Sequence, residues 1–234
     1  MTTSALATHL HLIQEKIARC EQKYHRNAGD VALLAVSKTR TVDEIRTLAK
    51  LGQIQFGENY AQEAIDKMAR ITDLALIWHF IGPIQKNKTK LIAENFQWVH
   101  SLDREIIATR LNQQRPPGMA TLNVCLQVNI DHESSKSGIA PSEVLEFAGF
   151  ANELTNLKLR GLMAIPSAKN DQAQQEAVFK KMMLLFNKLK QNISSVDTLS
   201  MGMSNDFEAA IAHGSTMVRI GTALFGPRHT HSDN

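Results

Sequence analysis

Short apolar runs alternate with stretches whose apolar residues recur every three or four positions, almost from one end of the chain to the other. Runs of strand length stand at Val31–Val36, Ile54–Phe56, Leu76–Ile81, Trp98–His100, Leu122–Ile130, Leu159–Met163, Val196–Leu199 and Met217–Ile220. Helical periodicity fills the intervals, at about 41–51, 60–72, 86–94, 103–114, 141–154, 171–190 and 205–213. A further helix at 4–26 precedes the first strand and carries Leu6, Leu10, Ile13 and Ile17 on one face. Thr41 before Asp43 and Glu44 is a good helix start, and Gly52 is a good stop. Gln113–Gly118 is a surface turn, because the same repeat resumes on both sides of it.

Eight strands separated by helices predict an α/β fold with a parallel sheet, and eight is the number that closes a (β/α)₈ TIM barrel. The extra N-terminal helix then takes the outer-ring place left without a helix after the last strand. A doubly wound open sheet is the alternative, but Val36-Ser37-Lys38-Thr39 offers no glycine fingerprint after the first strand. The 234 residues suit one such barrel, so 1–234 is expected to be a single domain.

The formal charge of +3 comes from scattered residues and gives no basic stripe, so nucleic acid is not an expected partner. The apolar runs are far too short to span a membrane. The first residues lack the basic and apolar regions of a signal peptide, which makes the cytoplasm the expected location. Cys20 and Cys125, one on a helix and one in a strand, read as small buried hydrophobes. No metal site is expected.

Parallel barrels react at the C-terminal ends of their strands. Lys38 follows the first strand directly, where an apolar rim can lower an ammonium pKa and make a Schiff-base nucleophile; a solvated lysine is the plainer alternative. Glu58 and Asn59 follow the second strand as polar contacts or helix caps. His79 lies within the third, as a core histidine or a ligand contact. Met163 ends the sixth, either in the core or against a flat ring. The 131–138 loop is a lid or merely a loop.

The last two strands are the most informative. Gly202 and Ser204 follow the seventh, and Gly221 and Thr222 follow the eighth, each pair beside a helix start that can cradle an anion. Loops seven and eight are where barrels commonly hold a phosphate. Arg219, inside the last strand, needs an acceptor: either a buried carboxylate or the ring nitrogen of a cofactor whose phosphate lies beyond.

These segments together resemble a known family. AVSK ending at Lys38, FGENY around Asn59, WHFIGPIQ around His79 and SKSG around Lys136 are similar to pyridoxal phosphate homeostasis proteins. So are GLMAIP around Met163, LSMGMSND around Ser204 and VRIGTALFG around Arg219. This YggS/PROSC-type group is related to the N-terminal barrel of alanine racemase, the fold-type III architecture. The resemblance implies pyridoxal 5′-phosphate as cofactor and Lys38 as its covalent anchor. It further implies Ser204, Gly221 and Thr222 as phosphate ligands, Arg219 at the pyridine nitrogen, and Asn59, His79 and Met163 in the pocket. The implied role is cofactor homeostasis, with effects on amino- and keto-acid balance and transient delivery to acceptor apoenzymes.

Catalysis is not expected of it. An arginine at the ring nitrogen weakens the electron sink. Racemisation also needs an acid or base on each face of the α-carbon. In alanine racemase a C-terminal β domain of the partner subunit supplies the second, and this sequence has no such domain after its eighth strand. Tyr60 is the one candidate substitute. A weak amino-acid racemase is the rival reading, and a Schiff-base aldolase acting on a phosphorylated sugar is a third. A monomer is expected.

Overall fold

The computed structural model describes residues 1–131, 137–167 and 171–227. Eight parallel strands close into a barrel in chain order. They are β1 (Ala32–Val36), β2 (Gln55–Glu58), β3 (Ile77–Phe80), β4 (Trp98–Leu102), β5 (Leu122–Gln127), β6 (Leu157–Met163), β7 (Thr198–Ser200) and β8 (Met217–Ile220). Closure is made by β1 against β8, where Leu34 pairs with Arg219 and Ala35 with Ile220. Both faces of these strands are covered, which is why they read as continuous apolar runs rather than alternating ones.

The outer layer consists of α1 (Thr3–Lys23), α2 (Val42–Lys50), α3 (Ala61–Ala69), α4 (Thr89–Asn95), α5 (Glu105–Gln114), α6 (Val144–Asn152), α7 (Gln172–Asn192), α8 (Phe207–Ala212) and α9 (Thr222–Phe225). The first helix lies against α2, α8 and α9, in the ring place expected of it. Its Leu6, Leu10, Ile13 and Ile17 are all buried, at about 2 kcal/mol each. Thr41 and Glu44 form a reciprocal capping box that starts α2 three residues after Lys38.

Element boundaries depart from the periodicity in two informative places. The fifth strand leaves the barrel at Gln127, three residues before its apolar run ends. There Val128 N–H still donates to Met163 O of β6, while the backbone also pairs with the returning chain: Asn129 N–H donates to Ile139 O, and Ile139 N–H to Gln127 O, all at 2.9 Å. The stretch read as one helix over 86–94 begins as a 3₁₀ turn, Lys86–Lys88, before α4.

Cys20 and Cys125 are both buried free thiols, as their setting predicted. Burial pushes the Cys125 thiol up to about 12, so it is an inert apolar filler. Among the described residues, no helix is long and apolar enough to cross a membrane.

Candidate functional site

Because all eight strands run the same way, the residues that follow them gather on one face. Lys38, Asn59, Ser204, Arg219, Gly221 and Thr222 line one cavity there, of about 350 Å³. That is within the usual range for a small-molecule site. A smaller hollow of about 220 Å³ adjoins it and shares Asn59. The Asn59 Oδ1 atom is buried with no hydrogen-bond partner among the described residues, so it is an acceptor that a ligand could satisfy. Gly82 makes Asn59's position accessible: a Cβ there would fall 2.1 Å from the Asn59 carbonyl oxygen.

The turn that carries Lys38 is tightly defined. Ser37 N–H donates to Gly57 O at 2.9 Å, and Arg40 N–H returns to Ser37 O at 3.0 Å. Thr39 has φ of 62°, an unusual left-handed conformation for a β-branched residue. Arg40 donates to the carbonyls of Phe225 (3.1 Å) and Gly226 (2.5 Å), tying this turn to the end of α9.

The loops after β7 and β8 meet across the cavity. Ala223 N–H donates to Ser204 Oγ at 3.3 Å, so the serine joins the two loops that supply hydroxyls and backbone N–H groups. Asp206 holds the first loop by accepting from Met203 N–H at 2.5 Å. Gly202, at φ +94°, allows the sharp exit from β7; its Cβ would lie 2.6 Å from that of Ala210. The pair of glycine- and hydroxyl-bearing loops read from the sequence is thus one continuous lining.

Arg219 is buried, and its protein acceptors are carbonyls and a hydroxyl, not the carboxylate offered as one alternative. It donates to Ser200 O (2.7 Å), Ser200 Oγ (2.9 Å) and Ala164 O (2.9 Å). These bonds use three of its five N–H donors, and the residue also lines the cavity. Burial lowers its pKa to about 10, offset in part by nearby Asp206, so it is still charged at neutral pH.

Behind Arg219 runs a polar chain that the sequence did not disclose. Ser200 Oγ lies 2.9 Å from His100 Nδ1, and His100 Nε2 lies 2.9 Å from His79 Nδ1. Ser200 Oγ thus accepts from Arg219 and pairs with His100 Nδ1 at the same time. The far nitrogen of His79, Nε2, is buried and without a partner among the described residues. Burial holds His79 down to about 3 and His100 well below its ordinary value, so both are neutral imidazoles.

Two residues expected in the pocket, His79 and Met163, are not among those that line this cavity. His79 is fully buried inside the barrel and stacked on Trp98 at 5.2 Å, one layer below the mouth. Met163 is fully buried too, paired with Ser200 in the sheet. Each lies within its strand and is wholly covered by its neighbours. Lys136 and most of the 131–138 loop lie outside the described residues. The site residues that sequence reasoning missed are Ser200, His100 and Asp206. The one available signal was a histidine and a serine at inward positions of otherwise apolar strands.

Comparison with known proteins shows the family and the fold. The family model described as alanine racemase, N-terminal domain, matches residues 9–229. A protein of Haemophilus influenzae named pyridoxal phosphate homeostasis protein is 51% identical over 224 residues, covering 94% of each chain. The solved structure of PipY of Synechococcus elongatus with PLP bound is 34% identical at a TM-score of 0.78, covering 90% of this chain and all of that one. An alanine racemase of Clostridium difficile shares the fold, with a TM-score of 0.75 at 16% identity; 97% of this chain matches 58% of that one. By residues, fold and relatives alike, the chain belongs to the pyridoxal phosphate homeostasis protein family, built on the alanine racemase N-terminal barrel.

Proposed function

We propose that this protein binds pyridoxal 5′-phosphate in the cavity at the barrel mouth, anchors it at Lys38, and holds it in reserve for other proteins. One observation carries the reading: an amine, a guanidinium and two hydroxyl-bearing loops line the same space of about 350 Å³. Ser204, Gly221 and Thr222 supply hydroxyls and backbone N–H groups suited to a phosphate. Lys38 supplies the primary amine for a reversible Schiff-base bond. PipY, solved with PLP bound, and the naming of the curated relatives support the same cofactor.

When bound, the cofactor supplies an aldehyde that takes up primary amines reversibly and a ring that can draw electrons from them. Arg219 donates hydrogen bonds at neutral pH and keeps its proton, so at a ring nitrogen it acts as a donor and not as an acid. That arrangement favours holding over turnover. Neither tyrosine lines the cavity, and Tyr60 is 59% exposed at the start of α3, which further disfavours racemisation. His79 and Met163 shape the layer beneath the ligand and act through Ser200 and Arg219. Reversibility at Lys38 allows transfer to an acceptor apoenzyme's lysine. One chain supplies every residue used, which suits a monomer, and two free buried thiols suit a reducing cytoplasm.

The test is to incubate the protein with pyridoxal 5′-phosphate, reduce with borohydride and map the product by mass. A phosphopyridoxyl group on Lys38, lost in Lys38→Ala, is the expected result. A protein left unmodified throughout would sink the proposal. Sustained, Lys38-dependent amino-acid racemisation would shift it to the enzyme reading.

A further inference from the structure

Resting on the reading of Lys38 as the anchor, we infer that Lys67 and Glu63 are positioning residues that clamp the Lys38 turn from outside the cavity. Neither lines the cavity, yet together they hold both neighbours of Lys38. The Lys67 side chain, on α3, is 8% exposed, and its ammonium donates to three oxygens: Ser37 O at 2.7 Å, Glu58 Oε1 at 2.8 Å and Glu63 Oε1 at 2.6 Å. All three of its donors are used. Glu58 Oε1 in turn accepts from the Ser37 hydroxyl at 2.6 Å, so Ser37 is held through its backbone and its side chain. On the other side, Glu63 Oε1 accepts from Thr39 N–H at 2.5 Å.

The clamp has a definite object. Thr39 is held at φ of 62°, a conformation that a β-branched residue keeps only when its surroundings impose it. Glu58 is completely buried at the end of β2, and its Oε2 has no partner among the described residues. A charge so placed is tolerated because Lys67 neutralises it, and an ion pair of this kind is better suited to fixing a geometry than to adding stability. The geometry fixed here is the direction in which the chain leaves β1, and with it where Lys38 stands relative to Arg219 and Ser204.

Three variants, Lys67→Met, Glu63→Ala and Glu63→Gln, test the clamp in the full chain. In Lys67→Met, borohydride-trapped labelling of Lys38 by pyridoxal 5′-phosphate should slow by roughly tenfold, the scale of a small misplacement of a reacting group. Affinity for inorganic phosphate should stay at the wild-type value, which separates misplacement from general damage. Glu63→Ala leaves Lys67 paired with Glu58, so it folds; it should slow labelling by a smaller factor and speed amide hydrogen exchange at Thr39. Glu63→Gln keeps an oxygen for Thr39 and should restore both. Wild-type labelling rates in the folded variants, or equal loss of labelling and phosphate affinity, overturn the clamp. If Lys67→Met does not fold, Glu63→Ala decides alone. Hydrogen exchange needs no cofactor: a wild-type protein that takes no label overturns the functional reading, while Thr39 exchange still judges the clamp.

Discussion

The guanidinium of Arg219 donates at 2.9 Å to the hydroxyl of Ser200, and this contact joins the cavity at the barrel mouth to a chain of polar groups inside the barrel. Through Ser200 the chain reaches His100 and then His79, both neutral and fully buried. Arg219 is therefore oriented by the fold before any ligand arrives.

Replacing Arg219 by Met should remove three hydrogen bonds and take from the Ala164 carbonyl the donor Arg219 gives it, while Ser200 O keeps Ala164 N–H at 3.2 Å. A loss of about 1–3 kcal/mol is expected from leaving a buried acceptor short of its donor. Urea unfolding of Arg219→Met against wild type measures it. A change below about 1 kcal/mol would mean that the network contributes little.

The buried histidines predict acid lability. Burial lowers His79 to about 3 and keeps His100 well below 6.5, whereas the unfolded chain restores both to about 6.5. Above that pH neither group makes stability depend on pH. Below it the unfolded state takes up protons that the native state refuses, so stability falls as pH drops from 6.5 towards 3. Each histidine contributes a slope of about 1.4 kcal/mol per pH unit in that window. Unfolding at pH 7.5, 6.0 and 5.0 should show it, and His79→Gln should flatten it.

Ser204→Ala tests the anion end of the site. Ala223 N–H loses its acceptor, but in a solvent-exposed place, so stability should change by less than about 1 kcal/mol. Affinity for inorganic phosphate should fall by roughly tenfold, the worth of about 1.4 kcal/mol. Calorimetric titration reads both variant and wild type directly. Unchanged affinity would move the phosphate elsewhere in the cavity.

Gly82→Ala tests the approach of the β3 loop to Asn59. The new Cβ would meet the Asn59 carbonyl at 2.1 Å, so backbone must shift. The expected cost is about 1–3 kcal/mol or more. Because Asn59 lines the cavity, labelling of Lys38 should weaken along with thermal stability. Wild-type melting and labelling together would show that the loop yields freely.

Sequence alone determined the architecture, because burial on both faces writes a parallel strand as an apolar run and burial on one face writes a helix at its own period. Eight such runs left little but a barrel, and strand polarity then placed Lys38, Asn59, Ser204, Gly221 and Thr222 on one face. Those residues stand just after strand ends, where position in the sequence implies position in space. His79, Met163 and Arg219 lie inside strands, where the neighbours come from segments far along the chain. Only the closed barrel put Ser200 between Arg219 and His100, and His79 beyond them. Likewise only packing brought Lys67 to Ser37, 30 residues away, and Glu63 to Thr39, 24 away. Local pattern encodes which way each residue faces; which partner waits there is decided by the closure of the sheet.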